Sequence, residues 1–198
     1  MPEALAKETV LAPVDILLVG VGGQGTILAT KVLARAARAA GYDIKVSEIH
    51  GMAQRGGSVV TQVRLGEKVH SPLVEAADVI VAFEQLEGLR WLSGLKPGGV
   101  MIVNSQIIFP VPVLAGAAQY PADIPDLLAR RAPGTVVLDA LQTALQCGNA
   151  KAANVVLLGA LARRLPIPAE LWADALAAVV PARFLAVNRA AFQAGYNK

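Results

Sequence analysis

A short apolar run that stops on glycines and gives way at once to helix-forming residues leaves a chain few folds to choose from. Residues 15–25, Asp-Ile-Leu-Leu-Val-Gly-Val-Gly-Gly-Gln-Gly, are such a run. Positions 16–19 are wholly apolar with a β-branched residue at each end, the pattern of a strand buried on both faces. Positions 26–40 turn to alanine, leucine, lysine and arginine, and Gly41 follows as a C′ stop, so strand, glycine turn and helix form one unbroken unit. Gly20, Gly22 and Gly25 fit G-x-G-x-x-G, with Gly23 and Gln24 inside the motif. Glycines allow positive φ and close approach of backbone N–H groups to a bound group, and the helix that follows offers unpaired donors and the positive end of its dipole. Such a loop suits phosphate. The motif alone fits equally a tight β-to-α turn that only packs a helix against its sheet.

At 198 residues the chain suits one domain, with roughly 70% of the unfolded surface buried. Hydrophobic residues make up 55%, charged residues 17%, and the mean hydropathy is +0.51, a balance that suggests apolar surface covered by a partner chain. The net charge of +3 is small and dispersed, with no basic stripe interleaved with aromatics, which argues against nucleic acid. Glu3 and Glu8 stand where a secretory signal would be basic, and the apolar stretch 154–162 is bounded by Lys151, Arg163 and Arg164. The expectation is a cytoplasmic protein with no membrane segment. Cys147 is the sole cysteine, which excludes an intrachain disulfide and an iron–sulfur cluster held by this chain's own thiolates. His50 and His70 lack a second ligand at a recognised spacing, so no metal site is expected.

Residues 1–13 read as an extended lead-in and 14–198 as the single domain. Lys31, Arg35 and Arg38 share one face of the first helix, a solvated face. A second strand is expected over 43–48. Beyond it comes His50-Gly51-Met52-Ala53-Gln54-Arg55-Gly56-Gly57-Ser58, then alternation over 59–65, and Gly66 with Glu67 as a hairpin turn into Val69. That insertion predicts antiparallel strands beside a parallel core. Further strands are expected at 78–83, at 100–103 after a turn over 95–99, and at 135–138, with a short helix at 126–131 in a proline-marked stretch. The remainder reads as helix: one amphipathic helix over 151–165, two more opened by Pro168 and Pro181 at N1, and Gly195 closing the last. Together these elements predict an α/β fold, a three-layer α/β/α sandwich with a mixed, mainly parallel sheet, a Rossmann-like first unit and a helical C-terminal section.

Ligands of open α/β sheets sit beyond the C-terminal ends of the parallel strands. That edge would carry Gly20, Gly22, Gly23, Gln24 and Gly25; Glu48 and the loop with Gln54, Arg55, Gly56, Gly57 and Ser58; Glu84 with Gln85; Asn104 with Ser105; and Asp139. Arg55 is the one strong fork-shaped donor, set against glycines that let its backbone press on a carboxylate, a phosphate or another chain. A structural arginine tying two loops is the alternative; the several hydrogen-bonding groups of Gln54, Arg55 and Ser58 favour interaction. No residue has the setting of an acid, base or nucleophile, and no catalytic residue is assigned.

The segment 20–25, the segment 47–58 with its His-Gly-Met-Ala-Gln-Arg-Gly-Gly wording, Ser71-Pro72, and Ala77-Asp78 running to Phe83-Glu84 resemble the gamma-type component of 2-oxoacid:ferredoxin oxidoreductases. The wording before the paired glycines is most similar to the beta subunit of the indolepyruvate type. The resemblance covers 15 to about 195, with Asn154 and the stretch 188–196 as weaker features. It implies an accessory subunit of a complex that turns an aryl 2-oxoacid, coenzyme A and oxidised ferredoxin into acyl-CoA, carbon dioxide and reduced ferredoxin. Thiamine diphosphate and the iron–sulfur clusters would belong to a large partner subunit, ferredoxin would be met through the complex, and coenzyme A could lie at a shared site. The glycine turn and the Arg55 loop would complete the partner's thiamine site or hold coenzyme A phosphates at helix N–H groups.

Three rival readings stand beside it. One is an NAD-dependent enzyme, with Glu48 on a ribose hydroxyl. Another is an S-adenosylmethionine-dependent enzyme, suggested by Lys96-Pro97-Gly98-Gly99 before a strand. The third is a purely structural assembly subunit. The shared-site reading has a direct test: Arg55→Ala should lower the activity of the assembled complex or its affinity for coenzyme A while the subunit still folds, and unchanged steady-state kinetics would remove it.

Overall fold

A computed structural model describes residues 12–51 and 57–198. The chain runs β1 (Val14–Val21), α1 (Thr26–Ala39), β2 (Asp43–His50), β3 (Ser58–Gly66), β4 (Ala77–Ala82), α2 (Gln85–Trp91) and β5 (Leu95–Asn104). It continues through α3 (Val111–Leu114), α4 (Ile124–Arg131), β6 (Val136–Leu138), α5 (Ala140–Gln146), α6 (Ala153–Ala162), α7 (Ala169–Val179) and α8 (Ala182–Tyr196). The strands form one sheet in the order β2-β3-β1-β4-β5-β6. β3 pairs antiparallel with both β1 and β2, while β1, β4, β5 and β6 are parallel, so β3 alone runs against the rest.

The unbroken apolar run of β1 follows from its place in the middle of that sheet. Ile16 and Leu18 face a core shared with α1 and α6, and Leu17 and Val19 face a second core shared with α4, so both faces of the strand are dry. α7 packs on α1 and α8 on α6, behind the layer that touches the sheet. The result is three layers, with helices on both sides of a mixed sheet. α1 ends as its sequence foretells: Gly41 takes φ +89°, and the Tyr42 N–H reaches back to the Ala37 carbonyl at 3.0 Å.

Several local expectations are corrected. No hairpin follows Gly66; β3 already has a neighbour on each side, so no edge is left for Val69, whose N–H instead donates to the Asp43 carboxylate at 2.9 Å. The segment 95–99 belongs to β5, where the ladder to β4 slips between Ala77 and Val79 and Gly98 adopts φ +79°, the signature of a bulge rather than a free turn. Pro168 and Pro181 occupy the N-cap positions, one residue before N1.

The helix expected to be amphipathic over 151–165 is shorter, Ala153–Ala162, and buried from Asn154 to Ala162, because α8 covers the face turned away from the sheet. Gly195 does not close α8 but lies within it, and a Cβ there would overlap the Val156 carbonyl oxygen. Gly159 answers from α6, where a Cβ would overlap the Phe192 carbonyl oxygen and stand 2.8 Å from the Tyr196 nitrogen. Two glycines thus let the backbones of α6 and α8 touch.

At the edge opposite the glycine turn, charges tie four adjacent strands. Arg64 Nε meets Asp15 Oδ1 at 2.7 Å, and Lys96 Nζ lies 3.0 Å from Asp15 Oδ2 and 2.9 Å from Asp78 Oδ2. The bond to Asp78 chiefly holds the Lys96 ammonium above its ordinary value, against the opposing effect of burial.

The backbone contact between the last helices sets a clear expectation. Gly195→Ala forces α8 off α6 and should cost about 3 kcal/mol by overpacking, read as a lowered denaturant midpoint at unchanged slope.

Candidate functional site

β1 continues through Val21, so Gly20 lies inside the strand and the turn begins at Gly22. Gln24 folds back over it: its Oε1 accepts the Val21 N–H at 2.8 Å, and its Nε2 donates to the Phe83 carbonyl at 2.9 Å and to Gln106 Oε1 at 3.1 Å. A Cβ at Gly20 would stand 2.8 Å from that Oε1 and 2.9 Å from Phe83 Cβ, which is why only glycine serves there. Gly25 caps α1 at φ +82°, and its carbonyl accepts from Asn154 Nδ2 at 3.0 Å. Gly23, at φ +101°, is exposed with open space around it. The Gly22 N–H donates to the Gly57 carbonyl at 2.9 Å, so the two glycine motifs of the sequence meet.

Asn104, at the end of β5, joins the same network. Its Nδ2 donates to the Phe83 carbonyl at 3.0 Å and to Gln106 Oε1 at 3.3 Å, and its Oδ1 accepts the Ala140 N–H at 3.1 Å. Between these strand ends and the start of α6 opens a cleft of about 480 Å³, lined by Gly23, Gln24, Gly25, Leu28, Phe83, Asn104, Gln106, Leu141, Ala150, Lys151, Ala153, Asn154 and Leu157. Among the described residues, Lys151 is the one charged side chain on that lining, and it is exposed. Amides, backbone N–H groups at the first turn of α1 and one ammonium make a surface that can hold an anion. Among the described residues, the lining has no carboxylate, imidazole or thiol to move a proton or attack a carbonyl.

Of the residues singled out in the sequence, Gly23, Gln24, Gly25 and Asn104 line this cleft, while Gly20, Gly22 and Gly57 shape the turns beside it. Ser58 points elsewhere, its Oγ donating to Glu87 Oε2 at 2.5 Å, and Glu87 also receives Arg90 Nη1 at 2.6 Å. Glu84 is buried and works as a clamp: its Oε2 caps α2 at the Glu87 N–H (3.0 Å), and its Oε1 accepts from the Ile108 N–H (3.2 Å) and the Tyr120 hydroxyl (2.5 Å). Gln54, Arg55 and Gly56 lie outside the described residues. Lys151 and Gln106 were missed, although Asn149 and Asn154 bracketing a lone lysine at the head of an apolar run were there to be read.

The dinucleotide reading of Glu48 fails on topology. β3 lies between β1 and β2, so Glu48 stands two strand spacings, roughly 9.5 Å, from the strand that carries the turn, and its Oε1 accepts from Thr61 Oγ1 at 3.3 Å. Among the described residues no group of three or more His, Cys, Asp or Glu side chains is placed to hold a metal ion, and no helix is long and apolar enough to cross a membrane.

The described residues form a mixed α/β sandwich with a cleft at the strand ends, lined by amides, backbone N–H groups, apolar side chains and one ammonium. The chain belongs to the pyruvate ferredoxin/flavodoxin oxidoreductase family, whose profile matches residues 15–198. It is 40% identical over 188 residues to indolepyruvate oxidoreductase subunit IorB of Pyrococcus horikoshii, covering 91% of this chain and 93% of that one. To the subunit of the same name from Archaeoglobus fulgidus it is 37% identical over 190 residues, with 93% and 94% covered. In three dimensions it is similar to the gamma subunit of a keto/oxoacid ferredoxin oxidoreductase from Geobacter sulfurreducens, with a TM-score of 0.70, 27% identity, and 93% and 96% of the two chains covered.

The Glu84 clamp carries a pH dependence. Burial first, and then the neighbouring Glu84 carboxylate, push the Tyr120 hydroxyl well above the ordinary tyrosine value of 10.0. The folded chain therefore holds this proton more tightly than the unfolded chain, so the contribution is complete below pH 10.0 and is lost as pH rises toward the raised folded value. Tyr120→Phe should flatten the alkaline limb of a stability profile measured by denaturant titration from pH 9 upward, at the expense of one hydrogen bond near neutrality.

Proposed function

We propose that this chain is the smaller subunit of a cytoplasmic oxidoreductase that converts indolepyruvate or a related aryl 2-oxoacid, coenzyme A and oxidised ferredoxin into an aryl acyl-CoA, carbon dioxide and reduced ferredoxin. The observation that carries the reading is the cleft itself, placed at the ligand edge of the sheet and furnished, among the described residues, with groups that position. Near-full-length kinship to subunits named for indolepyruvate oxidation supports it. Thiamine diphosphate in the larger subunit supplies the carbanion chemistry that removes carbon dioxide, and that subunit's clusters carry electrons to ferredoxin. One cysteine, half-buried Cys147, cannot hold a cluster here, which fits that division.

This chain's part is to hold and to exclude water. The first-turn N–H groups of α1 and the Lys151 ammonium meet phosphate oxygens of coenzyme A, while Leu28, Leu141 and Leu157 supply dry wall. Gln24 and Asn104 keep the rim rigid, so that the thiol end of the coenzyme is presented to the partner's reacting carbon from a fixed direction. Gly57, whose carbonyl accepts the Gly22 N–H, brings the second glycine motif to the same rim.

Omitting the chain from a complex reconstituted with the larger subunit should abolish indolepyruvate-dependent ferredoxin reduction. Lys151→Ala should raise KM for coenzyme A about tenfold with kcat nearly unchanged, the loss of one charge-assisted contact. Turnover by the larger subunit alone, or by this chain alone, would overturn the assignment.

A further inference from the structure

From Gln106 to Ala122 the chain carries no charged side chain, in a protein where 17% of residues are charged. The apolar groups of this stretch face outward: Val111 is 75% exposed, Leu114 71%, and Ile107 and Phe109 50% each. Leaving such area in water forgoes about 25 cal/mol for every Å² that a partner could cover. Those four side chains present on the order of 500 Å². With the exposed proline and alanines between and beyond them the patch reaches roughly 700 Å², above what monomers commonly expose and close to the roughly 800 Å² per partner of a standard interface.

The arm is held in shape rather than left slack. One buried carboxylate, Glu84, grips both of its ends, at the Ile108 N–H and the Tyr120 hydroxyl. Phe109 packs edge-on against Tyr120, with ring centroids 5.4 Å apart and planes at 84°, and α3 forms a single turn between. A surface fixed beforehand loses little further freedom when it is covered.

We propose that residues 107–118 are the docking surface for the larger, thiamine-binding subunit, an inference that rests on the functional reading above. The arm leaves β5 at Asn104 and Gln106, both of which line the cleft, so a body seated on the arm also stands beside the cleft. A cleft whose described lining only positions, as the functional reading has it, works with a reactive partner at that place. A second copy of this chain packed arm to arm would bury the same area and bring no reactive group. The matching surface on the larger subunit is apolar and uncharged, since nothing on the arm could pair a buried charge.

The test is assembly of the co-expressed complex with Val111→Glu and Leu114→Glu in this chain. Both positions are exposed, so the variant should keep the thermal midpoint of the free subunit, and Val111→Ser with Leu114→Ser is a milder pair should the glutamates unfold it. Association with the larger subunit should weaken at least a hundredfold by titration calorimetry or analytical ultracentrifugation. Assembly at wild-type affinity overturns the inference alone. So does loss of self-association with the mixed complex intact, which would make a second copy the occupant. Failure of the unaltered chain to join the larger subunit overturns the functional reading as well, and the two failures are told apart by that control.

Discussion

The carbonyl of Phe83 accepts two side-chain amides, Gln24 Nε2 and Asn104 Nδ2, and through them the ends of β1, β4 and β5 are held as one rim. Parallel strands hold one another along their length, but nothing in a ladder fixes the peptide units just past their ends, where chains diverge into different helices. Here three diverging connections are tied at a single oxygen, and Gln106 receives the second hydrogen of each amide. Each bond contributes only about 1 kcal/mol. Their joint effect is geometric: with Asn154 Nδ2 on the Gly25 carbonyl as well, the first turn of α1, the head of α6 and the exit from β5 keep a constant separation, and the cleft is the space so defined.

The parts of this architecture that rest on local chemistry could be read directly from the residues. The strand, glycine turn and helix at the start needed only the apolar run at 16–19, the helix formers after Thr26 and the positive φ that Gly25 and Gly41 supply. The strands at 78–83 and 100–103 were likewise legible, because strands covered on both faces have little choice but to be apolar throughout. What escaped were features decided by neighbours distant in sequence. Val69 has the composition of a strand residue, yet β3 was already paired on both sides. The helix at 153–162 carries polar flanks that suggest one wet face, and only the presence of α8 makes it dry all round.

The site divides along the same line. Gly23, Gln24 and Gly25 were legible as a turn because the backbone demands them at close spacing, and the resemblance drew in Asn154, which holds the Gly25 carbonyl. Lys151 was not singled out because a single lysine has no local pattern, and only the fold brings it to the same cleft as Gly23 and Gln24, more than a hundred residues away. Glu84 was placed correctly at the strand edge and given the wrong surroundings: past a strand end a carboxylate can turn toward the cleft or back over its own helix. The first free N–H groups of α2, together with Tyr120, draw it backward.

The single reversed strand has an evolutionary reach of its own. Had β2 and β3 run the same way, the connection between them would have crossed to the far end of the sheet; because β3 turns back, with Gly51 bonded to Ser58, the chain reverses on the cleft side. Residues exchanged in that reversal leave β2 and β3 in place, since its two stems are locked by their own ladder, while a change at Gly57 reaches the strand-end rim through its bond to Gly22. Sequence drift within that short span is therefore decoupled from the pairing of the strands that carry it.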